Sequence, residues 1–176
     1  MKKNRGLIVL CICSLLIGLI GCGQPEVTEA WEADQIKRLT SIAATTFFDE
    51  NGGSCQLGGP VSSRPILICF WATRSPASTV GLDAYEKAYQ QYGEEVLFLM
   101  VNAFDGEADT MEDAIQYVEE KGYTFPVCYD RQNERGRWNI FDLPYVIFME
   151  AGLKPVHVRN TQLTTEEIGQ LIEEIR

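Results

Sequence analysis

Two hydroxyls, Ser75 and Ser78, stand three residues apart in Phe70-Trp71-Ala72-Thr73-Arg74-Ser75-Pro76-Ala77-Ser78, directly after the apolar run Pro65 to Cys69. A pair of reactive side chains at that spacing, where a strand gives way to a helix, is the frame of a dithiol redox site. Here oxygen occupies both sulfur positions, and oxygen forms no disulfide. A serine nucleophile needs an oriented base beside it, and the chain has a single histidine, His157. The remaining sulfurs beyond the first residues are Cys55, Cys69 and Cys128, an odd number without metal-ligand spacing. Neither a metal nor a cofactor is expected.

The elements that must position these groups follow from periodicity. Pro65 to Trp71 is a continuous apolar run of strand length, as for a strand covered on both faces. Pro76 to Gly93 reads as one helix, with Val80, Ala84, Ala88 and Tyr92 on its apolar stripe. Val96 to Val101 is a second buried strand, and Ala108 to Lys121 a second helix that carries Met111, Ile115 and Val118 inward and stops at Gly122. Phe125 to Tyr129, Pro144 to Met149 and Pro155 to Arg159 are further strands, and Arg131 to Phe141 is a turn with a short helix. Thr164 with Glu167 forms a capping box ahead of Ile168, Leu171, Ile172 and Ile175. Upstream, Asn51-Gly52-Gly53 marks a hairpin within Thr45 to Leu57, and Trp31 to Ala44 reads as a loose amphipathic helix. The order predicts an α/β protein with a mixed central sheet and helices on both faces.

The N-terminus reads as an address. Met1-Lys2-Lys3-Asn4-Arg5 is basic, and the apolar run Gly6 to Ile20 is short of the ~20 residues of a spanning helix. Leu19-Ile20-Gly21-Cys22 resembles a bacterial lipobox, which implies cleavage before Cys22 and a diacylated Cys22 at the mature end. The expected organisation is a signal peptide over 1–21, a lipid-anchored linker over 22–44 and one domain over 45–176. Removing 1–21 takes away Lys2, Lys3 and Arg5 and no acid, so 15 basic residues become 12 against 25 acidic ones. A chain that acidic is a poor partner for nucleic acid or anionic lipid. Its link to the membrane is expected to be the lipid, with the protein facing outside the cytoplasm.

With that order in hand, Phe70-Trp71-Ala72-Thr73 followed by a helix from Pro76 resembles the thioredoxin-like superfamily, and within it the TlpA/ResA-like branch of membrane-anchored thiol-disulfide oxidoreductases. The hairpin Phe47 to Leu57, the insert Asp105 to Asp130, Leu143-Pro144 where the family carries a cis-proline, and Glu150-Ala151-Gly152 leading to Val158 fit the same pattern. The resemblance covers about Thr45 to Arg176. It implies a thioredoxin-like fold, and it implies that Arg74-Ser75-Pro76-Ala77-Ser78 stands where members have Trp-Cys-Pro-Pro-Cys. There the first cysteine sits at a helix N-terminus, which favours its thiolate, and the second resolves the mixed disulfide. Ser75 can still cap the helix, with Pro76 at its first position, but it cannot exchange electrons. In this fold His157, on the final strand, is not expected to reach the site.

Two functions remain open at this point. In one, the protein has lost dithiol chemistry and acts as a binding or assembly module. An extended polypeptide or a membrane-associated protein would then lie in a groove made by Trp71, Arg74, Ser75, Pro76, Leu143, Pro144 and Tyr145, with Arg74 giving a local positive spot beside the helix N-terminus. In the other, it is a thiol-disulfide oxidoreductase working through Cys55, Cys69 or Cys128. Cys69 takes the place of the buried Asp or Asn that members carry below the second cysteine, and reads as core. Cys128 also reads as core, and Cys55 is the candidate exposed thiol. Bridges from Cys55 to either Cys69 or Cys128 are both open.

Overall fold

The architecture is built around β3 (Ile66–Trp71), whose six side chains are all buried. The computed structural model describes residues 28–40, 45–57 and 63–176. An uninterrupted apolar strand has no face for water, so β3 must be covered on both sides. Ile66, Ile68 and Phe70 enter one apolar cluster, with Phe47, Val101 and Ile147. Leu67, Cys69 and Trp71 enter the other, with Tyr85, Phe98, Met100 and Ile168.

Seven strands form one mixed sheet in the order β2-β1-β5-β4-β3-β6-β7. β3 runs parallel to β4 (Leu97–Asn102), with Trp71 beside Asn102, and antiparallel to β6 (Tyr145–Glu150), with Phe70 beside Tyr145. β5 (Val127–Tyr129) extends the parallel side, and β7 (Lys154–Arg159) closes the far edge against β6. The hairpin of β1 (Thr46–Phe48) and β2 (Ser54–Gln56) joins the other edge, where Phe48 pairs with Tyr129 of β5.

The helix expected over Pro76 to Gly93 is two helices, α2 (Pro76–Thr79) and α3 (Leu82–Tyr92). Ser, Thr, Val and Gly over 78–81 are weak helix formers, and such a stretch is a common place for a kink. Gln162 holds the kink by donating from Nε2 to the Ala77 carbonyl, at 3.0 Å. Val80, expected on the inward stripe, therefore lies 70% exposed, while Leu82, Tyr85 and Ala88 of α3 fill the core. α4 (Met111–Lys121) begins three residues later than expected. The Asp105 carboxylate accepts the N–H groups of Glu107, Ala108 and Asp109, each at 2.9 Å, so this stretch is a turn instead of a helix. Thr110 and Asp113 then form the capping box, and Gly122 ends the helix at φ 68°.

α5 (Glu134–Arg137) follows β5, and α6 (Thr165–Glu173) starts at the expected Thr164–Glu167 capping box. Ile168, Leu171, Ile172 and Ile175 are buried as expected. α3, α4 and α6 cover one face of the sheet. The opposite face is covered by α1 (Glu29–Leu39) and by Trp138 and Ile140 after α5.

α1 changes the expected organisation. It lies within the stretch 22–44 read as linker, yet Gln35 and Leu39 are buried and the helix packs along β7. The described part of the fold thus reaches back to Thr28, whose side chain caps α1 by accepting from Trp31 N. The expected end of this helix, with Ile42, lies outside the described residues. Four polar contacts fix it to the sheet. The Glu32 carboxylate accepts from Val158 N at 2.9 Å and from Arg159, and meets His157 Nδ1 at 3.2 Å. Tyr145 donates its hydroxyl to Gln35 Oε1 at 3.0 Å.

Burial pushes the Glu32 carboxyl up, but the hydrogen bonds from Val158 and Arg159, the Arg159 charge and His157 outweigh it and hold it below its ordinary value. A depressed carboxyl stabilises the fold above its unfolded pKa of about 4.3 and loses that contribution as pH falls through the folded value. Glu32→Gln is expected to lower stability by about 1–3 kcal/mol at neutral pH and to flatten loss of stability below about pH 4. Urea melts of both chains across pH 3–8, with the slope read at the acid end, check this.

Candidate functional site

The site sits at the carboxyl ends of the parallel strands β3 and β4, where open α/β sheets gather their functional loops. The chain leaves β3 through Ala72 and Thr73, and Ser75 N bonds back to the Ala72 carbonyl at 3.1 Å. This turn delivers Ser75 to the N-cap of α2 with extended backbone (φ −98°, ψ 100°) and Pro76 at the first helical position. The Ser75 hydroxyl accepts from Ser78 N at 3.3 Å and from the Ser78 hydroxyl at 3.0 Å. The two oxygens therefore hold each other by a hydrogen bond, where two sulfurs would be joined covalently. Ser78 is buried and Ser75 half-buried.

Among the described residues, no base is hydrogen-bonded to this pair. His157 lies on the edge strand β7, two strands from β3, and its ring nitrogens meet Glu32 at 3.2 Å and Glu174 at 2.8 Å. The hydroxyl pair has a structural function: it satisfies the start of a helix of four residues.

The register of β3 and β6 brings the second half of the site alongside. Phe70 pairs with Tyr145, so the chain running back from Tyr145 lays Pro144 and Leu143 beside Trp71 and Ala72. The Leu143–Pro144 peptide is cis. The expected groove is smaller than the sequence implied. Trp71 and Pro144 are buried, and Tyr145 turns its hydroxyl to Gln35 beneath α1. What remains at the surface is Arg74 and Pro76 from one loop, half-buried Leu143, and Phe141, which is 75% exposed. Phe141 lies in the turn between α5 and β6, ahead of the cis-proline, and lines a hollow with Trp31 and Arg38 of α1.

The positive spot expected at Arg74 is offset. Arg74 N donates to Asp109 Oδ2 at 3.1 Å. The Asp113 carboxyl is held below its ordinary value first by hydrogen bonds from Thr110 and last by the Arg74 charge. The loop before α4 thus presents acid to this side of the site. Asp109, 4% exposed, escaped the sequence reading because it sits next to the Thr110–Asp113 cap and looks like part of a helix start. Asn102 escaped it too, as the polar end of an apolar run. At the carboxyl end of a parallel strand such a residue is itself a signal. Both ends of the Asn102 amide, the Trp71 indole N–H, the Thr73 hydroxyl and Asp109 Oδ1 are buried without a hydrogen-bond partner among the described residues.

The three thiols are free and lie in two places. Cys69 faces the α3 side of the sheet, fully buried, and its thiol is pushed up to about 12 by burial. It has no access to solvent or to a partner cysteine. Cys55 of β2 packs against the apolar cluster on the opposite side of the sheet, in which Cys128 of β5 is buried. β1 lies between their strands, and no disulfide joins them. Cys22 lies outside the described residues.

No protein-family model matches the chain. A curated relative, the thioredoxin-like protein YneN of Bacillus subtilis (strain 168), is 21% identical over 112 residues, covering 62% of this chain and 64% of that protein. The match thus spans less than two thirds of the relative's length. Among solved structures, the pneumococcal exposed lipoprotein thioredoxin Etrx1 from Streptococcus pneumoniae strain TIGR4 superposes with a TM-score of 0.65 at 16% identity, over 75% of this chain and 99% of that one. The thioredoxin domain of a thiol-disulfide oxidoreductase from Bacteroides vulgatus gives 0.63 at 17% identity, over 76% and 94%. What is shared at these identities is architecture, and the chain has a thioredoxin-like fold.

Proposed function

We propose that the protein is an extracytoplasmic, lipid-anchored member of the TlpA/ResA-like branch that holds extended polypeptide, or a membrane-associated protein partner, where its relatives carry out dithiol exchange. The observation that carries this reading is the 3.0 Å hydrogen bond between the Ser78 and Ser75 hydroxyls. It keeps the turn and the helix start that a redox dithiol would occupy, with chemistry that transfers no electrons. An exposed Phe141 and a half-buried Leu143 beside the cis-proline offer apolar contact, and the adjoining loop offers backbone groups for an extended chain. The thioredoxin-like name of YneN and the exposed-lipoprotein description of Etrx1 support the family and its location. The Leu19-Ile20-Gly21-Cys22 motif supports the anchor. No helix among the described residues is long and apolar enough to cross a membrane.

Two outcomes test the reading. The purified full-length chain is expected to show no insulin reduction with dithiothreitol as donor beyond the uncatalysed rate. It is expected to bind fluorescein-labelled, carboxymethylated insulin B chain saturably by polarisation. Leu143→Asp would weaken that binding about tenfold, equivalent to ~1.4 kcal/mol. Saturable binding that ignores position 143, or turnover that depends on Ser75 or Ser78, overturns it.

The anchor is tested separately. Cells expressing the chain are expected to incorporate labelled palmitate into it, and Cys22→Ala is expected to abolish the label and leave the precursor uncleaved. Label that persists in Cys22→Ala removes the lipid-anchored part of the reading.

A further inference from the structure

The hairpin covers only part of the edge that it joins. β1 ends at Phe48, which pairs with Tyr129, and beyond it the chain turns back into β2. Two residues earlier on β5 lies Val127, whose strand partner among the described residues is Met100, on the β4 side. Met100 N donates to the Pro126 carbonyl at 3.3 Å. Backbone groups of successive strand residues point to opposite sides, so the N–H and C=O of Val127 point to the side that β1 has left. A strand edge left uncovered in this way is a template for one more chain.

Beside that edge a cleft of about 430 Å³ opens between the hairpin tip, α4 and β5. Its size is within the range of ligand pockets. Half-buried Ile115 and Val118 of α4, with Val127, give it an apolar floor, and Asp49, Glu50 and Glu119 give it a rim of carboxylates. The turn holds Asp49 in place, since its Oδ1 accepts the N–H groups of Asn51 at 2.9 Å and Gly53 at 2.6 Å. Arg131 braces the tip by donating to the Asp49 and Glu50 carbonyls, at 3.3 and 3.2 Å, without lining the cleft. A long apolar stem that ends in a cation complements such a cleft, and Lys and Arg are the side chains of that form. The formal net charge of −10 adds long-range attraction for a basic partner.

We propose that the uncovered edge of β5 and this cleft form a docking site for an extended, basic segment of a partner polypeptide. The segment adds beside β5 in line with β1, and its residue opposite Val127 exchanges backbone hydrogen bonds with it. Directly opposed residues of paired strands project their side chains to the same face. Val127 packs on the α4 side of the sheet. An arginine or lysine opposite it therefore lays its stem on Ile115 and Val118 and brings its cation to the three carboxylates. Strand addition supplies affinity, and the cleft supplies specificity. This edge is two strands from β3, and the proposal stands whether or not the Ser75–Ser78 end holds polypeptide.

The test is fluorescence polarisation of a fluorescein-labelled, amidated pentapeptide, Thr-Val-Arg-Val-Thr, against the purified full-length chain. Saturable binding is expected. Citrulline in place of the arginine keeps the shape and removes the charge, and is expected to weaken binding about tenfold. Glu119→Lys, at an exposed position of α4, is expected to weaken it about fivefold. Methylation of the arginine backbone nitrogen removes the donor to Val127 and is expected to weaken binding about tenfold or more. Absence of saturable binding overturns the proposal, as does a citrulline peptide or an N-methylated peptide that binds as well as the parent. Arginine amide that competes at the same concentration as the pentapeptide also overturns it, in favour of a site for a small organic cation. Should Glu119→Lys fail to fold, the two altered peptides decide, since they leave the protein unchanged.

Discussion

β3 is a strand with no side chain left for water, and the remaining elements are arranged around that constraint. Its alternate residues divide between two apolar clusters, so the sheet must carry helices on both faces. Its parallel neighbour β4 and its antiparallel neighbour β6 deliver their loops to the same end, where α2 begins. The position of Ser75 and of the cis-proline loop is therefore a by-product of core formation. Two serines suffice there, because nothing in the burial of β3 depends on what Ser75 and Ser78 do chemically.

The serine pair meets a structural need of the helix that it starts. A helix start needs an acceptor for its free N–H groups, and a hydroxyl supplies one as well as a thiolate does.

Much of this was legible in the chain because it is local. The apolar run of β3, the Thr164–Glu167 cap and the Gly122 stop are each written within a few residues, and each is found where the pattern puts it. The break at Val80-Gly81 was missed because the apolar spacing runs across it, while the weak helix formers and Gln162 decide against it. The burial of Trp71 and Tyr145 depends on helices far away in sequence, and so does the docking of α1 through Glu32. The packing of Cys55 against the cluster that holds Cys128 requires the hairpin to add itself beside β5, which no spacing in the sequence encodes. At the site, the frame was readable, but the acid of Asp109 beside Arg74 was not, since it arrives from 35 residues away.

The docking of α1 also sets a leash. Were residues 22–44 free, a chain held at Cys22 could carry its domain up to about 80 Å from the lipid, at the ~3.5 Å that each extended residue spans. With the fold reaching back to Thr28, six such steps remain, a reach of about 20 Å. A lipid at Cys22 would therefore keep Thr28 within about 20 Å of the bilayer surface, and with it any partner that the domain held.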